Sequence, residues 1–182
     1  MEERSVEHFV SGEFRSHVRF LPPEKYAVIR DTTVRACVDT LIINQRGEIL
    51  LGKRAIYPWP SWWSFGGRML PGESPAEAVG RTVKEDLGLS NIPPERFFFL
   101  APCSLVFGRR QEPPQENGCH DLVLFHLFPV NNEEARLINT EKVRKGEYEK
   151  VKWFRPEEIF SDPGFHPALV GMVKKAMQSF SL

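Results

Sequence analysis

Four charged side chains at and around a helix start carry the first sign of chemistry. Glu73 precedes Ser74-Pro75-Ala76-Glu77, and Arg81, Glu85 and Asp86 follow soon after. Ser at an N-cap, Pro at the first helical position and Glu at the third form a capping box, so the sequence predicts a helix over Pro75 to Leu87. At about 100° per residue, Ala76, Val79, Val83 and Leu87 share one apolar stripe. Gly88 supplies the flexible residue expected past the end. The opposite side carries Arg81, Glu85 and Asp86, with Thr82 between the two acids. Hard divalent cations such as Mg2+ take oxygen ligands and keep several waters, so one or two carboxylates plus substrate phosphate oxygens suffice to hold them. The same pattern also suits a solvated helix face.

The elements around this helix follow from period and punctuation. Glu24 to Ile29, after Pro22-Pro23, predicts a short helix. Val34 to Ile43, a turn over Asn44 to Gly47 and Glu48 to Leu51 predict a β-hairpin. Phe97 to Val106 and Asp121 to Val130 are further strands, joined by a long polar loop from Gly108 to Gly118. Val151 to Phe154 is a last strand, followed by helices over Pro156 to Phe160 and Pro167 to Phe180. Strands interleaved with helices imply an α/β fold with a mixed sheet. Tyr57, Trp59, Trp62 and Trp63 crowd one segment, where their rings suit either stacking on a base or sugar, or packing beneath the loop. Arg109 and Arg110 either gate entry or belong to an ordinary exposed loop.

Length and composition set the bounds. The 182 residues suit one domain, read as an N-terminal extension over 1–22 and a main domain over 23–182. Lys plus Arg and Asp plus Glu balance at 24 each, which excludes a global positive field for nucleic acid and leaves anion capture to local groups. Cys37, Cys103 and Cys119 are odd in number and form no C-x-x-C pair, so they read as reduced thiols. Met1 leads into charge without an apolar segment, and no run approaches the ~18 apolar residues of a membrane span. A cytoplasmic protein without membrane partners is the expectation.

The full spacing from Gly67 through Glu73, Arg81, Glu85, Asp86 and Gly88 to Leu89 resembles the Nudix hydrolase box. Seven of its nine defined positions match directly, and Asp86 is a conservative replacement at another. The resemblance implies the Nudix α/β/α sandwich, a small nucleoside diphosphate derivative as substrate and Mg2+, or Mn2+, as cofactor. Thr82 is the departure. It stands where most members carry the first Glu of the acidic trio, and a hydroxyl neither holds charge nor readily accepts a proton at neutral pH.

From Pro23 to Arg81 the chain looks like the GDP-mannose mannosyl hydrolases in particular, through Val28 to Thr32, Asp39, Asn44 to Arg54, Trp62 and Gly66-Gly67-Arg68. That subgroup also lacks the Glu at Thr82, and in it water attacks the anomeric carbon so that the nucleoside diphosphate leaves intact; the alternatives are cleavage of the diphosphate derivative at phosphorus, with Glu73 or Glu85 covering for Thr82, and a module that binds the nucleotide without hydrolysing it. The resemblance implies Arg54 for leaving-group stabilisation, Arg68 and Arg81 for phosphate, and Asp39 and Trp62 for the rest of the substrate. For the metal it implies Asp86, Glu73, Glu147 and the carbonyl of Gly66 or Gly67, with Glu85 a further ligand or one acting through water. The subgroup's general base falls here on Tyr148, with His120 and Glu149 as substitutes. Dimers are frequent in the subgroup, so a homodimer is a further expectation.

Overall fold

The computed structural model describes residues 5–138, 143 and 146–179. One helix, α1 (Pro23–Thr32), precedes strands β1 (Arg35–Ile43), β2 (Ile49–Arg54), β3 (Trp62–Trp63) and β4 (Phe65–Arg68). Helix α2 (Pro75–Leu87) leads to β5 (Phe98–Phe107), β6 (Cys119–Pro129), α3 (Asn132–Leu137), β7 (Tyr148–Phe154), α4 (Pro156–Ser161) and α5 (Pro167–Ser179). The expected elements are present, with ends shifted by a few residues; Phe180 lies outside the described residues. The short strands β3 and β4 and the helix α3 lacked a periodic signal.

The sheet is mixed and runs β3-β2-β1-β6-β5, with β4 on β1 and β7 on β2. β1 is its centre. It pairs parallel to β6 from Arg35 opposite Asp121 to Ile43 opposite Pro129, and antiparallel to β4 from Cys37 opposite Arg68 to Thr40 opposite Phe65. Because successive side chains on a strand point to opposite faces, Cys37, Leu41 and Ile43 join Val123, Phe125, Leu127 and the α5 residues Leu169, Val173 and Ala176 in one core. Val38 and Ile42 join Phe65 and the α2 residues Ala78, Val79, Val83 and Leu87 in the other. Helices thus cover both faces, as an α/β/α sandwich requires.

α2 starts where the capping box predicts. Ser74 Oγ accepts from Glu77 N at 3.3 Å, Glu77 Oε2 accepts from Ser74 N at 2.8 Å, and Gly88 ends the helix at φ 76°. Its buried face is wider than the predicted stripe: Thr82 and Asp86 are also buried, 3% and 1% exposed, while Ala76 is only half-buried. The helix is rotated so that both residues face the sheet instead of water. Thr82 Oγ1 donates to the Val79 carbonyl at 3.0 Å. Ser74→Ala removes one arm of the box and is expected to lower stability by about 1 kcal/mol, read as a shift in the urea midpoint; an unchanged midpoint would show that the tertiary contacts of α2 alone set its start.

Candidate active site

A cleft of about 350 Å³ opens over the β1–β6 surface. Its floor is Arg35, Cys37 and Asp39 of β1 with Asp121 and Val123 of β6. Gly66, Gly67 and Arg68 of β4, Arg54 of β2 and Glu147 before β7 line it, and Ile56 to Trp59 line it beyond β2. Phe20, Leu21, Tyr26 and Arg30 come from the N-terminal segment and α1.

Asp39 is the buried acid of this floor. Trp63 Nε1 donates to its Oδ2 at 2.7 Å, and Ser64 Oγ donates to the same oxygen at 3.2 Å. Burial pushes its carboxyl up to about 7, against the pull of the Trp63 hydrogen bond, the Arg54 charge and the Ser64 hydrogen bond. Gly66 makes this approach possible, since a methyl group there would collide with the Val38 carbonyl and Asp39 Oδ1. Arg54 stands nearby and donates through Nη2 to Glu147 Oε1 at 3.1 Å, with both side chains about one-sixth exposed. Ala55 N donates to the Glu147 carbonyl at 2.8 Å, so the segment before β7 is tied to the end of β2 and the pair is held together. Arg68 places its guanidinium against the rings of Phe20 and Tyr26, 5.7 and 5.4 Å from their centroids.

Several expected residues are placed elsewhere. Arg81 is not presented to a substrate: it is spent on Glu73, on Glu85 and on the Arg68 carbonyl, the last through Nη2 at 2.9 Å. It clamps the β4–α2 connection. Glu73 is the other half of that clamp. Burial alone would raise its carboxyl, but the hydrogen bonds from Arg81 and Leu70 N hold it below the usual value. Trp62 is turned away from the cleft, packing edge-on to Phe154 at 4.8 Å under Lys150, while its neighbour Trp63 faces inward, as alternation demands. Tyr148 cannot serve as base, because its hydroxyl donates to Asp86 Oδ2 at 3.2 Å and burial, reinforced by the Asp86 charge, pushes the phenol well above its ordinary value. His120 alternates with the cleft-lining Asp121 and therefore lies on the other side of β6, bonded to Ser104 at 2.8 Å. Glu149 pairs with Lys53 at 3.1 Å.

Arg110 is buried, not exposed. It donates to Asp31 at 2.6 Å, which pins the β5–β6 loop to the end of α1. Arg109 stacks on Tyr57 at 5.0 Å. The groups that sequence reasoning missed are Arg30, Arg35 and Asp121. Asp121 accepts from Arg35 Nε at 3.0 Å and Nη2 at 2.8 Å, and from Arg30 Nη1 at 3.3 Å. The available signal was period two: Arg35, Cys37 and Asp39 share one face of β1.

Among the described residues no three His, Cys, Asp or Glu side chains gather as a ready-made metal cage. Mg2+ does not require one, since it binds through one or two carboxylates, waters and substrate phosphates. Glu147, Gly66 and Gly67 line the cleft and fit that sparse mode, whereas Glu85 and Asp86 on α2 do not line it and are engaged by Arg81 and the Tyr148 hydroxyl.

A NUDIX domain model matches residues 33–175, most of the chain and all of the sheet. The chain belongs to the NUDIX family. An isopentenyl-diphosphate Delta-isomerase of Escherichia coli O127:H6 is 31% identical over 125 residues, covering 66% of this chain and 64% of that protein, so the match spans less than two thirds of the relative's length. A protein of the same name from Corynebacterium glutamicum is 27% identical over 142 residues, 76% of this chain and 71% of the relative. Among solved structures, a MutT NUDIX hydrolase from Burkholderia pseudomallei superposes with a TM-score of 0.60 at 22% identity, over 79% of this chain and 98% of the other. The NUDIX domain of Shewanella oneidensis NrtR, complexed with ADP ribose, gives 0.61 at 14% identity, over 88% and 100%. The two sequence relatives carry isomerase names and not that of the GDP-mannose mannosyl hydrolases, so the comparisons support the NUDIX family and not that subgroup.

The buried Asp39 gives a pH signature. Its folded-state value is above that of the unfolded carboxyl, so charging it opposes folding: its stabilising effect is complete below about pH 4 and is lost as pH rises to about 7. Asp39→Asn keeps an oxygen for Trp63 and Ser64. Denaturation at several pH values should show the variant more stable above pH 7, by up to roughly 4 kcal/mol, with the gap closing toward pH 4. A gap independent of pH would place the carboxyl in its ordinary range.

Proposed function

We propose that this NUDIX protein is a divalent-metal-dependent hydrolase of a nucleotide sugar, releasing the sugar and an intact nucleoside diphosphate. One observation carries the reading. The box position where a base for attack at phosphorus is expected holds Thr82, buried and bonded back to the Val79 carbonyl, while the cleft presents Arg54, Arg68 and the near-neutral Asp39 together.

In this reading water attacks the anomeric carbon, the bond from that carbon to the diphosphate oxygen breaks, and the electron pair leaves on the diphosphate. Asp39 takes the water proton. A carboxyl poised near the working pH suits that exchange better than a phenol held by Asp86. Arg54, kept in place by Glu147, and Arg68, braced by Phe20 and Tyr26, meet the growing negative charge with guanidinium donors. A divalent metal ion would be held by Glu147 and a carbonyl of Gly66 or Gly67, with Asp86 or Glu85 giving one further carboxylate, and would supply further charge neutralisation on the phosphates.

A second reading is favoured by the isomerase names of the relatives at 27% to 35% identity. The same arginines would hold a diphosphate ester while protons move on and off carbon in its apolar tail, and Cys37, Trp63, Leu105 and Phe107 give the cleft an apolar side.

Incubation with GDP-mannose, GDP-glucose and ADP-ribose, and separately with isopentenyl diphosphate in deuterated water, separates the two. Free sugar with nucleoside diphosphate supports the proposal. Sugar phosphate with nucleoside monophosphate would assign attack at phosphorus, and deuterium entering the isopentenyl carbon skeleton would assign the isomerase reaction. Arg54→Gln is expected to lower kcat at least about 100-fold, by analogy with loss of one transition-state donor, with little change in metal affinity. Near wild-type turnover would remove Arg54 from the chemistry.

A further inference from the structure

Five buried side-chain polar atoms lack a hydrogen-bond partner among the described residues: Arg30 Nε, Thr40 Oγ1, Arg54 Nε, Trp59 Nε1 and Glu112 Oε2. All but that of Thr40 belong to residues lining the cleft. A buried donor or acceptor left without a hydrogen bond is costly. Their concentration along one cleft marks where a ligand would complete the hydrogen bonding.

Arg30 and Glu112 form a separate pair among them. They come from α1 and the β5–β6 loop, whereas Arg54 and Arg68 come from β2 and β4. Arg30 Nε and Glu112 Oε2 face each other as an ion pair at 3.9 Å, too far for a hydrogen bond, and the Arg30 side chain is only 3% exposed. Asp121 holds the other end of the Arg30 fork through Nη1. The loop is anchored too, since Arg110 bonds Asp31 and also donates through Nε to the Glu112 carbonyl at 3.1 Å. A cationic donor and an anionic acceptor therefore stand side by side on rigid supports.

We propose that Arg30 and Glu112 read the base of a nucleoside diphosphate by its lactam edge, a ring carbonyl beside a ring N–H, as in guanine or uracil. The proposal rests on the cleft being the diphosphate-ester site. The guanidinium donates to the carbonyl oxygen and the carboxylate accepts from the ring N–H, each a charge-assisted hydrogen bond. Adenine presents no ring N–H on its pairing edge, and an apolar isoprenoid tail would leave both atoms without a hydrogen bond. Sites built around buried hydrogen-bonding groups discriminate strongly against ligands that cannot satisfy them. Arg30 lies outside residues 33–175 and Glu112 inside them, so half of the pair comes from a segment that the family match does not include.

The test is calorimetric binding of GDP, UDP, ADP, inorganic pyrophosphate and isopentenyl diphosphate to the whole chain with Mg2+, repeated on Glu112→Gln. GDP or UDP should bind at least about tenfold tighter than ADP and pyrophosphate, a difference of about 1.4 kcal/mol. Glu112→Gln should erase most of that preference, and Arg30→Lys, which keeps the charge but loses the fork, should do the same. Thermal unfolding of both variants shows that they are folded. ADP binding as tightly as GDP and UDP, isopentenyl diphosphate binding tighter than all, or Glu112→Gln keeping the preference would overturn the proposal. Pyrophosphate and every other ligand failing to bind the wild type would instead overturn the diphosphate site itself.

Discussion

A carboxylate on the central strand of the sheet, largely removed from water, constrains much of what surrounds it. Asp39 is 7% exposed, and burying a charge there is tolerable only with fixed donors or with a proton. Trp63 and Ser64 supply the donors, and they sit at the β3–β4 junction, so the short strands that lacked any periodic signal are the ones that hold the acid. Gly66 has to be glycine for β4 to approach Asp39 so closely. The same strand then carries Gly67 and Arg68 along the cleft. The position and protonation of the acid and the line of the cleft wall are thus set by one four-residue strand and Trp63-Ser64 before it.

Around that centre the chain uses arginines in two distinct ways. Arg81 and Arg110 are structural: one locks the β4–α2 connection through Glu73, the other locks the β5–β6 loop onto α1 through Asp31. Arg54 and Arg68 are held at the cleft by partners that restrain them, a carboxylate in one case and two aromatic rings in the other. Pre-positioned guanidinium groups lose little freedom when they meet phosphate. The N-terminal segment belongs to this arrangement, because Phe20 and Tyr26 brace Arg68 while Arg30 closes a side wall.

The sequence made the long elements and the box legible because they depend on local signals. The capping box at Ser74, the alternation in β1 and the closing helix α5 all report on neighbours within a few residues. What it could not resolve were choices made by distant contacts. Arg81 and Arg54 look alike as isolated basic residues, and only the positions of Glu73 and Glu147 decide that one is a clamp and the other faces the cleft. Trp62 and Trp63 are adjacent, and which of them turns inward depends on the pairing of β3 with β2. Arg35 gave a local hint through period two, yet its partner Asp121 lies 86 residues on, and Arg30 reaches the same carboxylate across 91 residues. Thr82 was legible as a departure from the box, and the fold adds that it is sealed against the sheet.

The central claim is that Asp39, and not a member of the box helix, is the acid–base group of this cleft. The most direct measurement is a carboxyl 13C NMR titration of Asp39 in the folded protein, with Asp39→Asn to assign the signal. A midpoint near pH 7 agrees with a buried carboxyl able to exchange a proton at neutral pH. A midpoint near 4, the ordinary aspartate range, would mean that Asp39 is a permanently charged contact and that the proton must go elsewhere.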